Sequence, residues 1–171
     1  MTFDQSHGHA ALRRGRWSHS GAEYFLTCCT SDRQIGLADS PIVASIRREA
    51  DRLRTESAWN LRTRVVMPDR LHSLVAVDTA FALTEAVRLF KGRLSPVLRN
   101  AGLRWQPAFF DHRMRPHEDR LPEFWYIFLN AYRAVLLASS EKWPGCFCDP
   151  PDWAWFSPLT NEEYPYPEWL P

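Results

Sequence analysis

Two β-forming runs joined by a three-residue turn limit what this chain can become. Trp59 to Met67 (WNLRTRVVM) is followed by Pro68-Asp69-Arg70 and then by Leu71 to Val77 (LHSLVAV). Proline presets the backbone and aspartate stabilises a tight turn, so the two runs are expected to fold back as an antiparallel hairpin. The second run is apolar on both alternating sets of positions, which predicts a central strand covered on both faces. Ser40-Pro41 reads as the cap and first-turn proline of a helix before the hairpin. Its apolar side is Ile42, Val43, Ile46, Ala50 and Leu53, with Arg47, Arg48, Arg52 and Arg54 around the outside. After the hairpin, Asp78-Thr79 reads as the cap of a second helix with Leu83, Val87, Phe90 and Leu94 inward, ended by Asn100-Ala101-Gly102. Glu23 to Thr30 (EYFLTCCT) supplies an earlier strand and Trp105 to Met114 (WQPAFFDHRM) a later, irregular one. The order is β-α-β-β-α-β followed by a further helix. It predicts an α+β fold: a ferredoxin-like antiparallel four-stranded sheet with helices on one face.

The further helix is Phe124 to Leu137 (FWYIFLNAYRAVLL), apolar enough for a core element. Tyr126, Asn130, Arg133 and Leu137 fall at i, i+4, i+7 and i+11 and so share one stripe. Leu121, Phe124, Phe128, Val135 and Leu136 are left for the core. A tyrosine one turn from an asparagine is either a nucleophile beside an oxygen ligand or a buried pair with its hydrogen bonds satisfied. The helix alone does not separate the two.

Composition divides the chain into three stretches. Residues 1–20 form a basic arm containing Arg13, Arg14 and Arg16, residues 21–142 the body, and residues 143–171 a Pro/Trp-rich tail expected to lack regular structure. The net charge of +1 conceals an asymmetry. Residues 1–140 carry 20 Lys+Arg against 14 Asp+Glu, whereas residues 141–171 carry one lysine against six acids. A basic body suits an anionic partner, and an acidic tail can compete for the same surface. All basic residues except Lys91 and Lys142 are arginine, whose fork matches phosphates and guanine edges, although a GC-rich genome gives the same bias. Cys28-Cys29 and Cys146-x-Cys148 do not have the Cys-x-x-Cys spacing of a zinc knuckle and read as buried thiols. No run reaches the roughly 18 apolar residues a transmembrane helix needs. The first residues, MTFDQSHGHAALRRGRW, lack the apolar segment of a signal peptide. The expectation is a cytoplasmic protein with no membrane partner.

Four ordered motifs carry a resemblance to a known family. The turn Val66-Met67-Pro68-Asp69-Arg70-Leu71-His72-Ser73-Leu74 resembles the V-M-P-(N/D)-H-x-H-x-L signature of the REP-associated tyrosine transposases. These are single-tyrosine members of the HUH endonuclease superfamily. Tyr24-Phe25-Leu26-Thr27 with Asp32-Arg33 resembles the family's first strand and loop, and Trp105-Gln106 with Phe110-Asp111-His112-Arg113-Met114-Arg115 its W-Q…F-D-H-x-x-R segment. Tyr126 to Ala134 (YIFLNAYRA) resembles its Y-I-x-x-N-P-x-R-A-G-L helix. The match runs from about Arg13 to Trp143. It implies the transposase form of the fold and a single-stranded or hairpin DNA substrate resembling palindromic repeats, handled by a monomer or a homodimer. It further implies a tyrosine nucleophile at Tyr126 that cuts and rejoins DNA through a 5′-phosphotyrosine. Mg²⁺ or Mn²⁺ would be held by His72 and Asn130 with a first histidine.

That first histidine is absent. Its position is Arg70, which has no lone pair for a metal and carries a fixed charge. Two readings are open: cleavage is lost and a DNA-binding protein remains, or the guanidinium contacts the scissile phosphate itself. The first is preferred. Further DNA-binding candidates are Arg13, Arg14, Arg16, Arg70, Lys91, His112, Arg113, Arg115 and Arg133, each equally readable as a solvated charge. Tyr132 fits core packing better than catalysis. Three functional classes stand at this point: a DNA nickase and joiner, a non-catalytic module for structured DNA, and a ferredoxin-like domain that binds RNA or protein.

Overall fold

A computed structural model describes residues 21–78, 81–158 and 167–169. The basic arm with Arg13, Arg14 and Arg16 lies outside them, as does Thr79. The elements in chain order are β1 (Glu23–Cys29), α1 (Ser40–Thr55), β2 (Trp59–Val66), β3 (Arg70–Val77), α2 (Leu83–Asn100), β4 (Phe110–Arg113), α3 (Leu121–Arg133), β5 (Cys146–Cys148) and α4 (Pro150–Phe156). The strands form one antiparallel sheet in the order β4-β1-β3-β2-β5, with β3 in the centre as its two apolar faces require. No helix among the described residues is long and apolar enough to cross a membrane.

Alternation along β3 sorts the core into two. Leu71, Val75 and Val77 belong to a cluster with Ile42, Ile46 and Leu53 of α1 and Val87, Phe90 and Leu94 of α2. Leu74, between them on the strand, joins a second cluster with Phe124, Ile127 and Phe128 of α3 and Phe156 of α4. The two crossover helices therefore cover one face, and the tyrosine helix covers the other. That second face also carries Arg70 and His72, by the same two-residue period.

The strand count is five, not four, because the tail joins the sheet. Thr63, Arg64 and Val65 of β2 pair with Cys148, Phe147 and Cys146. Gly145 makes the entry possible: a Cβ there would stand 2.6 Å from the Val66 carbonyl oxygen. Trp143 Nε1 donates to that same oxygen at 2.7 Å, which pins the turn. Arg62 of β2 pairs with Asp152 of α4 at 2.7 Å and with Glu23 at 3.5 Å, tying tail to body. The expected irregular tail is thus corrected to a strand and a short helix. Cys28, Cys29, Cys146 and Cys148 are free thiols, and burial pushes those of Cys28, Cys146 and Cys148 up to about 12.

Helix ends also differ from expectation. Asp39, not Ser40, is the N-cap of α1, and α2 starts from Ala82 rather than from Asp78-Thr79. The later strand shrinks to Phe110–Arg113, with Trp105 held to Thr30 by an isolated bridge. Helix α3 stops at Arg133, four residues before its apolar pattern ends. Its amides close back from Leu136 to Ala131 and from Val135 to Tyr132, the Schellman arrangement. Val135 occupies the left-handed position at φ 54°, where glycine is usual, and points into solvent with Leu136 instead of into the core.

Candidate functional site

Strand β3 and helix α3 present four polar side chains to one another. Arg70 is two residues from His72 on the strand, and Tyr126 is one turn from Asn130 on the helix. Arg70 Nε donates to His72 Nε2 at 3.0 Å, and Arg70 Nη2 donates to Asn130 Oδ1 at 3.4 Å. Its Nη1 donates to Asp69 Oδ1 at 2.9 Å. Because His72 Nε2 accepts from a guanidinium, the ring proton sits on Nδ1, which donates to Thr27 Oγ1 at 2.8 Å. Thr27 is there because the register places it directly opposite His72. Phe25 stacks on the imidazole with centroids 5.7 Å apart, and the Tyr126 ring meets it edge-on at 5.2 Å. His72 and Asn130 are buried, whereas Tyr126 is 40% exposed. An exposed phenol therefore lies over a buried polar network.

Burial, and then the charge of Arg70, lower the His72 pKa to about 4, so the ring is neutral near pH 7. In the unfolded chain the ring takes its proton near 6.5, the ordinary value. Between those values the unfolded state binds more protons, so stability is full above about pH 6.5 and falls as pH drops toward about 4. The loss assignable to this ring is about 2–3 kcal/mol. Urea midpoints of the natural chain and His72→Gln, taken near neutrality and near pH 4.5, should diverge less at the acid end. Parallel losses in both would show that His72 contributes nothing to the acid sensitivity.

Divalent metal does not fit this arrangement. The atoms that would ligate it, His72 Nε2 and Asn130 Oδ1, already accept hydrogens from one guanidinium. A guanidinium is itself a cation and offers no lone pair to a metal. Among the described residues no group of three or more His, Cys, Asp or Glu side chains could hold a metal ion.

The other candidates are scattered. Lys91 Nζ bonds the carbonyl oxygens of Gln106, Pro107 (3.4 Å) and Ala108 (3.1 Å), which fastens the loop before β4. Burial lowers its pKa. His112 is paired with Glu118 at 2.7 Å, and Arg113 and Arg115 are exposed at and beyond the β4 edge. Arg133 is exposed at the end of α3. Tyr132 is buried, its hydroxyl donating to the Glu141 carbonyl at 2.6 Å. Four residues of the network were not legible from the sequence as site residues: Phe25, Thr27, Asp69 and Arg33. Asp69 bridges Arg70 and Arg33, the latter at 3.2 Å. Thr27 and Phe25 fall in the strand motif that carries the family resemblance, but their alternation in β1 places them at the site only once its partner strand is known.

The fold has solved counterparts. A REP-associated tyrosine transposase bound to a REP hairpin superposes with a TM-score of 0.62 over 72% of this chain and 74% of that one, at 18% identity. The chain has the single-tyrosine transposase fold. A candidate transposase from Deinococcus radiodurans R1 also matches, with a TM-score of 0.49 and 22% identity over 67% of this chain and 95% of that one. No protein-family model and no curated protein matches the chain. In this chain the strand after the hairpin turn and helix α3 face each other, which is where Arg70, His72, Tyr126 and Asn130 lie.

Proposed function

We propose that this chain belongs to the REP-associated tyrosine transposases, binds hairpin or single-stranded DNA, and no longer cuts it with a divalent metal. The observation that carries the reading is the Arg70 fork, which closes on His72 Nε2 and Asn130 Oδ1 beside Tyr126. It supplies a built-in cation where the family resemblance implies a removable one. The basic balance of residues 1–140 supports an anionic partner. The four ordered motifs and the likeness to a hairpin-bound transposase support DNA as that partner.

On this reading Arg113, Arg115 and Arg133, with Arg13, Arg14 and Arg16 of the arm, meet phosphates, while Arg70 stays engaged within the protein. Lys91, already saturated by carbonyls, adds charge at longer range. His112 stays with Glu118 at the rim. Cleavage would require Tyr126 to attack phosphorus and expel a 3′-oxygen; the charge a metal would supply at that phosphate is missing, and Arg70 is held by three acceptors instead.

Two results are expected on a labelled hairpin. Affinity should be the same in EDTA and in Mg²⁺ at matched ionic strength, and no strand should be cut in either. Affinity should fall steeply with salt, by about 10³-fold or more between 50 and 200 mM if six or more phosphates are engaged. Chelator-sensitive binding, or efficient cutting by the natural chain, would overturn the loss of metal chemistry. Salt-independent binding would overturn the phosphate contacts.

A further inference from the structure

The tail strand β5 carries two cysteines to one face of the sheet. Cys146 pairs with Val65 and Cys148 with Thr63, and both pack on the α3 side. Phe147 between them packs on the α1 and α2 side, as the two-residue period requires. Both cysteines are half-buried free thiols. They line a cavity of about 250 Å³, walled by the rings of Phe128, Tyr132, Trp153 and Trp169. Cys28 and Cys29 differ: they are adjacent on β1, point to opposite faces and are 3% and 8% exposed.

Side chains at i and i+2 of a strand start from positions about 6.5–7 Å apart. Two metal–sulfur bonds span about 4.6 Å, so each sulfur has to lean inward by only about 1 Å to share one ion. The walls decide which ion. Aromatic rings supply no further ligand, and the Tyr132 hydroxyl already donates to the Glu141 carbonyl at 2.6 Å. Among the described residues no third His, Cys, Asp or Glu completes a ligand set. Zinc, which takes four ligands, is poorly served there, and a soft ion that accepts two thiolates is favoured. Two thiolates around a monovalent ion leave one negative charge. Arg64 is 4% exposed, and its Nε has no hydrogen-bond partner among the described residues. Its guanidinium lies 5.4 Å from the Phe147 ring, and a buried cation in that state favours an anion beside it. Lys142, 4.5 Å from the Trp169 ring, adds a second positive charge to the cavity.

We propose that Cys146 and Cys148 form a two-thiolate site for a soft monovalent metal ion of the Cu⁺ and Ag⁺ class. Binding replaces each S–H bond by a sulfur–metal bond and releases the proton to solvent. The ion keeps its oxidation state, so no further reactant is needed. The site is separate from the space between His72 and Asn130 and does not depend on the DNA-binding reading. Because both ligands sit on β5 and the walls come from α3 and the tail, a bound ion stabilises the folded tail.

The test uses the full chain, reduced and free of oxygen, with Cu⁺ delivered from a coloured chelator and, separately, with Ag⁺. The natural chain should take one Cu⁺ from the chelator. Its tryptophan fluorescence should fall on binding, since Trp153 and Trp169 line the cavity, and its melting temperature should rise with Ag⁺. Cys146→Ala/Cys148→Ala should lose all three responses. Alanine keeps both positions apolar, and a melt of the metal-free variant checks folding; Cys148→Ser alone serves if the double variant does not fold. Cys28→Ala/Cys29→Ala should keep all three. A natural chain that takes no ion, or takes one with unchanged fluorescence, overturns the inference without any variant. Uptake that survives in folded Cys146→Ala/Cys148→Ala, or that is lost in folded Cys28→Ala/Cys29→Ala, overturns it too. Zn²⁺ held as tightly as Cu⁺ would mean that further ligands join, and would overturn the two-thiolate site.

Discussion

Arg70→His is expected to bind Mn²⁺ where the natural chain does not, and to form a covalent adduct with hairpin DNA in its presence. The substitution removes the fixed charge that now fills the space between His72 Nε2 and Asn130 Oδ1. It places an imidazole lone pair two residues from His72, on the same face of β3. With Asn130 opposite, two nitrogens and an oxygen become available at once. Metal binding can be read without any cleavage, by calorimetry or by the Mn²⁺ resonance signal. Adduct formation should rise by at least about a hundredfold over the natural chain, the lower end for restoring a charge-stabilising contact at a reacting centre. Arg70→His/Tyr126→Phe should bind Mn²⁺ equally and form no adduct. An adduct formed efficiently by the natural chain in EDTA would mean that Arg70 does the cation's work and that cleavage was never lost. Mn²⁺ binding without an adduct in Arg70→His would mean that a second part of the site has also changed.

Phe156→Ala is expected to cost about 3–5 kcal/mol, the range for emptying a fully buried aromatic position. Phe156 is 1% exposed although it lies in a tail whose composition reads as irregular. Its ring centroid is 4.7 Å from that of Trp125, 5.5 Å from Phe124 and 5.6 Å from Phe128. It fills the outer side of the core that positions α3, so its loss should loosen the helix carrying Tyr126 and Asn130. For a chain of this size the melting temperature should drop by roughly 10–15 °C. Ile35→Ala, at a position 78% exposed, is the reference and should shift stability by less than about 0.5 kcal/mol. A Phe156→Ala melt indistinguishable from that of Ile35→Ala would show that α4 is not part of the folding core. The same packing bears on the acidic tail. Removing residues 144–171 would strip β5 and α4 from the sheet, so any change in DNA affinity would mix lost charge with lost structure.

Local chemistry was enough to determine much of this protein. The Pro68-Asp69 turn and the two-residue alternation on either side specify the hairpin, and the doubly apolar run at 71–77 specifies a central strand. Helical spacing put Tyr126 and Asn130 on one stripe, and the motif order pointed to the transposase fold and exposed Arg70 as its departure. Non-local pairing decided the rest. Three residues, Cys146 to Cys148, are too few to show a strand period, and only the open edge of β2 makes them one. The apolar pattern of α3 runs on to Leu137, but the capping bonds from Val135 and Leu136 end the helix sooner, because satisfying the last carbonyls outweighs continuing the pattern. Thr27 reached the site only through the register of β1 against β3. Most consequential is where the Arg70 guanidinium goes. The sequence shows a cation in place of a ligand. Only the tertiary structure brings His72 and Asn130, 58 positions apart, within reach of its fork, where their lone pairs are the acceptors a half-buried guanidinium needs.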